Sequence, residues 1–450
     1  MGERSPNILL IVIDCLRADR TFGPARTAKI PTLSRLAAEG TLFTHLITAN
    51  SMTIPCMTTT FTGMYPVAHG VRAMQGFRVH DDIPLLAEQL QACGYHTYAE
   101  VCNPLSPYYR LDRGFSVYNL RRGVEESLLG KWGDDFLARM ARGEYAEPWF
   151  LYLHLWEVHQ PRQVLPRFDR PEFGATSYDR AISTLDARLG ELMAVLPANT
   201  TVLVTGDHGE KIPENVMEAR IERWKRPFTR VNRFKNPLAR QARRLIVRGR
   251  KLWYAAIRRL HRAGLVESPL ITVTGHGYHV YDSLVRVPLI IYGHSELAAG
   301  KVIETPVRQI DLMPTILELA GISAVPETVE GESVLPLIHG HVRPDVPVFI
   351  ETCQNTREPS GFAGVRTRRW KYAAHVHDPS VPEELYDLTA DPEERHNVAT
   401  QYPEQTAEFR ALLQQHFQRQ PYTGVRLDEE LSAEELARLS RRLENLGYIE

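Results

Sequence analysis

The chain has 450 residues, 43% hydrophobic and 24% charged, enough apolar material for a large buried core. That balance excludes a disordered chain, a collagen-like fibre and a disulfide scaffold, and a net charge of −1 argues against nucleic-acid binding by whole-chain electrostatics. The five cysteines (Cys15, Cys56, Cys93, Cys102 and Cys353) are scattered with no CxxC pair, which predicts reduced thiols in a cytoplasm.

The first apolar run, Asn7–Ile13, is too short for a signal sequence or a membrane span and ends at Asp14. It predicts a buried parallel strand. Further runs at Phe150–Leu155, Thr201–Thr205, Pro288–Tyr292 and Val346–Ile350 read as strands; Pro31–Glu39, Ile83–Cys93 and Tyr178–Leu196 read as helices between them. Strands alternating with amphipathic helices predict an α/β fold, a mostly parallel sheet with helices on both faces. In such a sheet ligands bind beyond the C-terminal ends of the strands, where Asp14 and Asp207 fall.

Between Lys211 and Arg262 there are 17 Lys or Arg against three acids, a net of +14. Leu238–Leu260 spaces its apolar residues as a basic amphipathic helix. This predicts a basic helical insert over 211–270, a lid or a contact for an anionic membrane surface or a polyanion. The expected organisation is a catalytic domain over 1–345, and a C-terminal α+β subdomain over 346–450 with a surface helix at Glu429–Leu446. The expected location is cytoplasmic, with membrane association through the insert as the alternative.

Asp207-His208-Gly209-Glu210 follows a strand directly. A carboxylate and an imidazole side by side there can hold a divalent metal, Asp14 adding a hard oxygen, and Gly209 allows close backbone approach. In Thr53-Ile54-Pro55 a hydroxyl residue opens a helix-like stretch that ends in Thr62-Gly63. A helix N-terminus suits a tetrahedral anion, and a metal-bound hydroxyl there becomes a nucleophile; alternatively Ser51 or Thr53 merely caps the helix.

With these motifs in order, the chain resembles the sulfatase family of the alkaline phosphatase superfamily. The likeness covers Asn7–Asp19, Thr53–Val71, Phe150–Pro161, Val204–Glu210, Gly275–Ile291, Gln309–Gly321, Gly331–Ile338 and Glu384–Val398. It implies Asp14, Thr53, Asp207 and His208 as metal ligands, Thr53 also as nucleophile, and His159 and His276 on the transferred group or leaving oxygen. His279 is the alternative to His276 as a substrate contact, and Asn103 stands near the position of a family Lys-His stretch. The chain departs from the family's pattern at Thr53, because sulfatases carry there a Cys or Ser that is oxidised to formylglycine. Met57 replaces an Arg, and Cys15 replaces a second Asp. Threonine nucleophiles occur in phosphoryl-transfer members of the superfamily. The resemblance therefore implies a metal-dependent hydrolase or transferase (phosphodiesterase or phosphotransferase) of phosphate esters through covalent Thr53, with Mn, Zn or Ca bound. A second metal ion on Glu210, His159, His276 and His279 would offset the missing cations. The alternatives are a sulfuric ester hydrolase that works without formylglycine, and a non-catalytic anion-binding scaffold.

Overall fold

The computed structural model describes residues 5–446 except 103, 122, 124, 214–274, 296, 353–360, 420, 421 and 423. In chain order the strands are β1 (Asn7–Ile13), β2 (Thr41–Ile47), β3 (Phe77–Arg78), β4 (His96–Val101), β5 (Val117–Leu120), β6 (Trp149–Leu155), β7 (Thr200–Gly206), β8 (Arg286–Tyr292), β9 (Lys301–Ile303) and β10 (Val307–Arg308). The C-terminal part adds β11 (Val348–Glu351), β12 (Phe362–Arg366), β13 (Trp370–His375), β14 (Glu384–Asp387) and β15 (Val425–Arg426).

Nine of these strands form one sheet in the order β10-β2-β8-β7-β1-β6-β4-β5, with β9 beside β2. It is mostly parallel, as expected, but β8 runs antiparallel to both β2 and β7. The α/β layering has a simple cause. Every residue of β1, β6 and β7 is buried, and such continuous aliphatic runs can satisfy a strand only when both of its faces are covered. Ile8, Leu10 and Val12 enter a cluster with Ile54, Phe61, Leu86, Leu90 and Ile316. Elsewhere the Pro31–Glu39 and Ser177–Val195 helices are tied together where Asp186 accepts the amides of Thr32 (3.0 Å) and Leu33 (2.8 Å). Those amides are the unpaired donors of a helix start.

The C-terminal subdomain is a four-stranded antiparallel sheet, β11-β12-β13-β14, with the Pro403–Phe417 helix packed on it through Phe409 and Leu413. Its first strand starts at Val348, two residues after the expected Val346. The expected terminal helix is divided: Leu427–Glu430 and Ala433–Leu446 are separate, with Leu431 extended between them.

The chain divides into two compact units, one of Met1–Gly209 with His276–Glu450 and the other of Glu210–Gly275. In the second unit Lys211 and Gly275 exchange backbone hydrogen bonds of 2.9 and 3.0 Å. The Leu238–Leu260 helix, and with it the expected lid or membrane contact, lies outside the described residues. Among the described residues no helix is long and apolar enough to cross a membrane.

Candidate active site

Strands β1 and β7 are neighbours in register, Ile13 opposite Gly206, so the residues that follow them, Asp14 and Asp207, emerge together. Strand β6 lies on the other side of β1, with His154 opposite Val12. Three consecutive strands of one parallel layer thus deliver their polar residues to one rim. All three side chains are buried.

Past Asp14 the chain turns sharply, with Cys15 at φ +66°. That left-handed conformation is costly for a residue with a Cβ and must be held by its surroundings. The Cys15 amide donates to Asp207 Oδ1 at 3.2 Å, and its carbonyl accepts from the Tyr178 hydroxyl at 2.6 Å. The Asp14 amide donates to Leu155 O at 2.7 Å, tying the end of β1 to the end of β6.

His208 Nδ1 lies 2.9 Å from Gly209 O. Donation there leaves the Nε2 lone pair facing the carboxylates, the usual way an imidazole ligand is oriented. His208 Nε2 is 3.5 Å from Asp207 Oδ2, 3.8 Å from Asp14 Oδ1 and 3.3 Å from Thr53 Oγ1. Thr53 opens the Thr53–Thr62 helix, whose positive dipole end favours an anion at that point. The four residues expected to hold a metal are therefore brought together.

Burial alone would raise the Asp14 carboxyl, but the His159, His154 and His208 imidazoles outweigh it and hold Asp14 well below the usual carboxylate range. Burial, and then the charge of Asp14, pushes Asp207 up to about 7. Asp207 Oδ2 and His154 Nε2 are buried and lack a hydrogen-bond partner among the described residues. Buried atoms of this kind are rarely left unsatisfied, and two carboxylates converging on an imidazole are the donor set of a divalent cation. The residues fit such an ion.

His159 and His276 also meet, with 3.2 Å between their Nε2 atoms and 4.3 Å between the His276 and His208 ring centres. Burial, and then the charges of His208 and His159, lowers His276 well below the usual imidazole range. His279 is placed differently. Its Nε2 is 3.2 Å from Glu384 Oε2, and its ring stacks on Tyr281 at 3.7 Å and lies 4.0 Å from Phe362. Within the larger unit the three histidines expected on a second ion are not gathered together: His159 and His276 come together beside Cys15, whereas His279 turns to Glu384. Asn103 lies outside the described residues.

Near the carboxylates one residue, His154, went unnoticed in the sequence, and another, Cys15, was read only as the replacement of an Asp. His154, whose Nε2 is 3.8 Å from Asp14 Oδ2, is the one histidine in the strand Trp149–Leu155, a visible signal in a mostly apolar run. Its Nδ1 is 2.7 Å from the Tyr152 hydroxyl. Cys15 groups with His159 and His276 on one side and with Asp14 and His208 on the other. The clue was its place directly after Asp14.

A family model described as Sulfatase matches residues 6–322, and one described as N-sulphoglucosamine sulphohydrolase, C-terminal, matches residues 276–421. Arylsulfatase K of Mus musculus is 23% identical over 462 residues, covering 90% of this chain and 78% of its own. A 2-O GAG sulfatase structure superposes with a TM-score of 0.66 at 18% identity, covering 93% of each chain. The phosphonate monoester hydrolase of Silicibacter pomeroyi gives 0.65 at 19% identity, covering 92% of this chain and 96% of that one.

Proposed function

Because the chain belongs to the sulfatase family, we propose that it is a metal-dependent hydrolase of sulfuric esters whose nucleophile is the unmodified hydroxyl of Thr53. The observation that carries this reading is Thr53 Oγ1 at the N-terminus of its helix, 3.3 Å from His208 Nε2 and beside the Asp14–Asp207 pair. The expectation of a phosphate ester gives way to the sulfuric ester because the curated relatives are arylsulfatases. A 2-O GAG sulfatase among the structural neighbours favours a sulfated sugar as the ester.

Asp14, Asp207, His208 and Thr53 would hold the cation. When bound, it supplies Lewis-acid polarisation of the hydroxyl and of the ester oxygens. The protein's own part is to place groups. The Gly209 carbonyl fixes His208, and the helix start holds Thr53 where the anion would lie. Asp14, kept ionised by the imidazoles around it, supplies negative charge 3.8 Å from His208 Nε2, the atom that faces Thr53 Oγ1. As Thr53 Oγ1 attacks sulfur its proton passes to solvent, the S–O bond to the alcohol breaks, and His159 or His276 would give a proton to the leaving oxygen. Water then cleaves the threonine ester, releasing sulfate and restoring the hydroxyl.

A phosphorus ester is the second reading. Threonine cannot become formylglycine, and a phosphonate monoester hydrolase shares the fold. Aryl sulfate, phosphate monoester, phosphate diester and phosphonate, each with manganese, zinc or calcium, separate the two. Sulfate turnover is expected, falling at least ~10³-fold in Thr53→Ala and equally in the near-isosteric Thr53→Val. Turnover of phosphorus esters alone would establish the second reading. Turnover that survives both substitutions would remove Thr53 from the nucleophile's place.

A further inference from the structure

We infer that Cys15, His159 and His276 form a zinc site of their own, next to the one built on Asp14, Asp207 and His208. Each of the three offers one ligand atom, and these atoms lie within 4.8 Å of one another. The Nε2 atoms of His159 and His276 are 3.2 Å apart. Two nitrogens on a tetrahedral zinc with Zn–N of about 2.0–2.1 Å are separated by about 3.3 Å, so the imidazole pair already has the edge of a zinc tetrahedron.

The backbone supports the same assignment. Cys15 takes the left-handed conformation at φ +66°, and backbone outliers of this kind gather at functional sites. That turn allows two consecutive residues to serve different neighbours. Asp14 faces His208 and His154, while the Cys15 thiol reaches the His159–His276 pair and also lies 3.8 Å from His208 Nδ1.

The donor set selects the metal. One thiolate and two imidazoles are too soft for calcium or magnesium and suit zinc or its spectroscopic surrogate cobalt. Three protein ligands leave a fourth position open, the arrangement of catalytic rather than structural zinc. Cys15 is fully buried and His159 nearly so, whereas His276 is partly exposed. Binding converts the Cys15 thiol to a thiolate and releases its proton to solvent. With zinc on both Nε2 atoms neither imidazole gives its proton from there, and the open coordination position would meet the leaving oxygen instead; the site is independent of which ester the chain cleaves.

The test uses the full chain, stripped of metal and reloaded with zinc or cobalt. Elemental analysis after gel filtration is expected to give two zinc ions per chain, and one in Cys15→Ser. The cobalt form is expected to show a thiolate-to-cobalt charge-transfer band that Cys15→Ser abolishes. A band that persists in Cys15→Ser would come from another of the five cysteines and would overturn the assignment. So would one ion per chain with no band in the unmodified protein, a result that needs no variant to fold. Asp207→Asn separates the neighbouring site: it is expected to lose one ion and keep the charge-transfer band. An unmodified chain with one ion and no band, whose ion is lost in Asp207→Asn, would sink this site and leave the proposed function standing.

Discussion

His69 is fully buried at the end of a short helix, where its Nδ1 accepts the Val71 amide at 3.1 Å and its Nε2 faces Thr59 Oγ1 at 3.1 Å. One nitrogen must accept and the other donate, so only one neutral tautomer fits. Burial, and then the charge of Arg72, pushes this imidazole down to about 3. The unfolded chain protonates first as pH falls. His69 therefore contributes stability that is complete above about 6.5 and is lost between about 6.5 and 3. Urea unfolding from pH 7 to pH 4.5 should show a slope of up to about 1.4 kcal/mol per pH unit from this residue. In His69→Asn, whose amide oxygen can still accept the Val71 amide, stability should be lower at pH 7 but the slope shallower; an unchanged slope would assign the acid sensitivity elsewhere, with buried His416 next in line. His69 has the same residue type as His208, and the difference lies only in what each ring meets.

At the scale of elements, the Thr53–Thr62 helix is the instructive case. Its sequence, TIPCMTTTFT, is poor in helix formers, yet every residue is buried. The threonine hydroxyls at 58, 60 and 62 donate to the carbonyls of Ile54, Cys56 and Thr58 at 2.8, 3.1 and 2.8 Å, which satisfies them without outside partners. Pro55 sits in the first turn, where an absent amide costs nothing. Phe61 anchors the helix edge-on against Tyr152 of β6, with ring centres 5.0 Å apart. The turn after β7 is held with similar tightness. The Gly209 amide donates to Leu284 O at 2.7 Å, and a Cβ on Gly209 would stand 2.2 Å from Ser283 O, so only glycine fits. Gly209→Ala should cost about 1–3 kcal/mol in a denaturant melt and, by shifting His208, should lower kcat at least about tenfold. Full activity in a folded Gly209→Ala protein would show that the turn does not position His208.

Across the larger unit, the C-terminal sheet is locked to the catalytic part by a buried charge network. Lys371 of β13 is 2.8 Å from Asp282 and 2.9 Å from Glu394, Arg366 of β12 is 3.2 Å from Asp282, and the Asp282 amide donates to Glu394 at 2.6 Å. Burial would raise Asp282, but Arg366 and Lys371 hold it well below the usual range; burial pushes Glu394 up to about 7 despite Lys371. Asp282 follows closely on the segment that carries His276 and His279, so the subdomain braces the site from behind. Removing one partner of such a network leaves buried charge uncompensated, and Lys371→Met should therefore lose about 3–5 kcal/mol in a thermal or urea melt. A loss below about 1 kcal/mol would mean that Arg366 alone suffices.

Much of this protein was legible in the sequence because it is written locally. Aliphatic runs of strand length gave β1, β6, β7 and β8, and the polar residues at two of their C-terminal ends, Asp14 and Asp207, had to fall on one rim of a parallel sheet. A proline two residues after Thr53 and a glycine after Thr62 bounded the Thr53–Thr62 helix. The pairing of imidazoles had no such local sign. His159 and His276 are 117 positions apart and meet, whereas His279, three residues from His276, turns to Glu384 and the aromatic rings of Tyr281 and Phe362. Neither the reversed direction of β8 nor the approach of Cys15 to the His159–His276 pair has a local signature either. Composition and period fix which segments are buried, because burial follows the side chains of each segment. Which distant side chains touch is fixed only when those segments pack, because loop closure over a hundred residues costs nearly the same for many alternative partners.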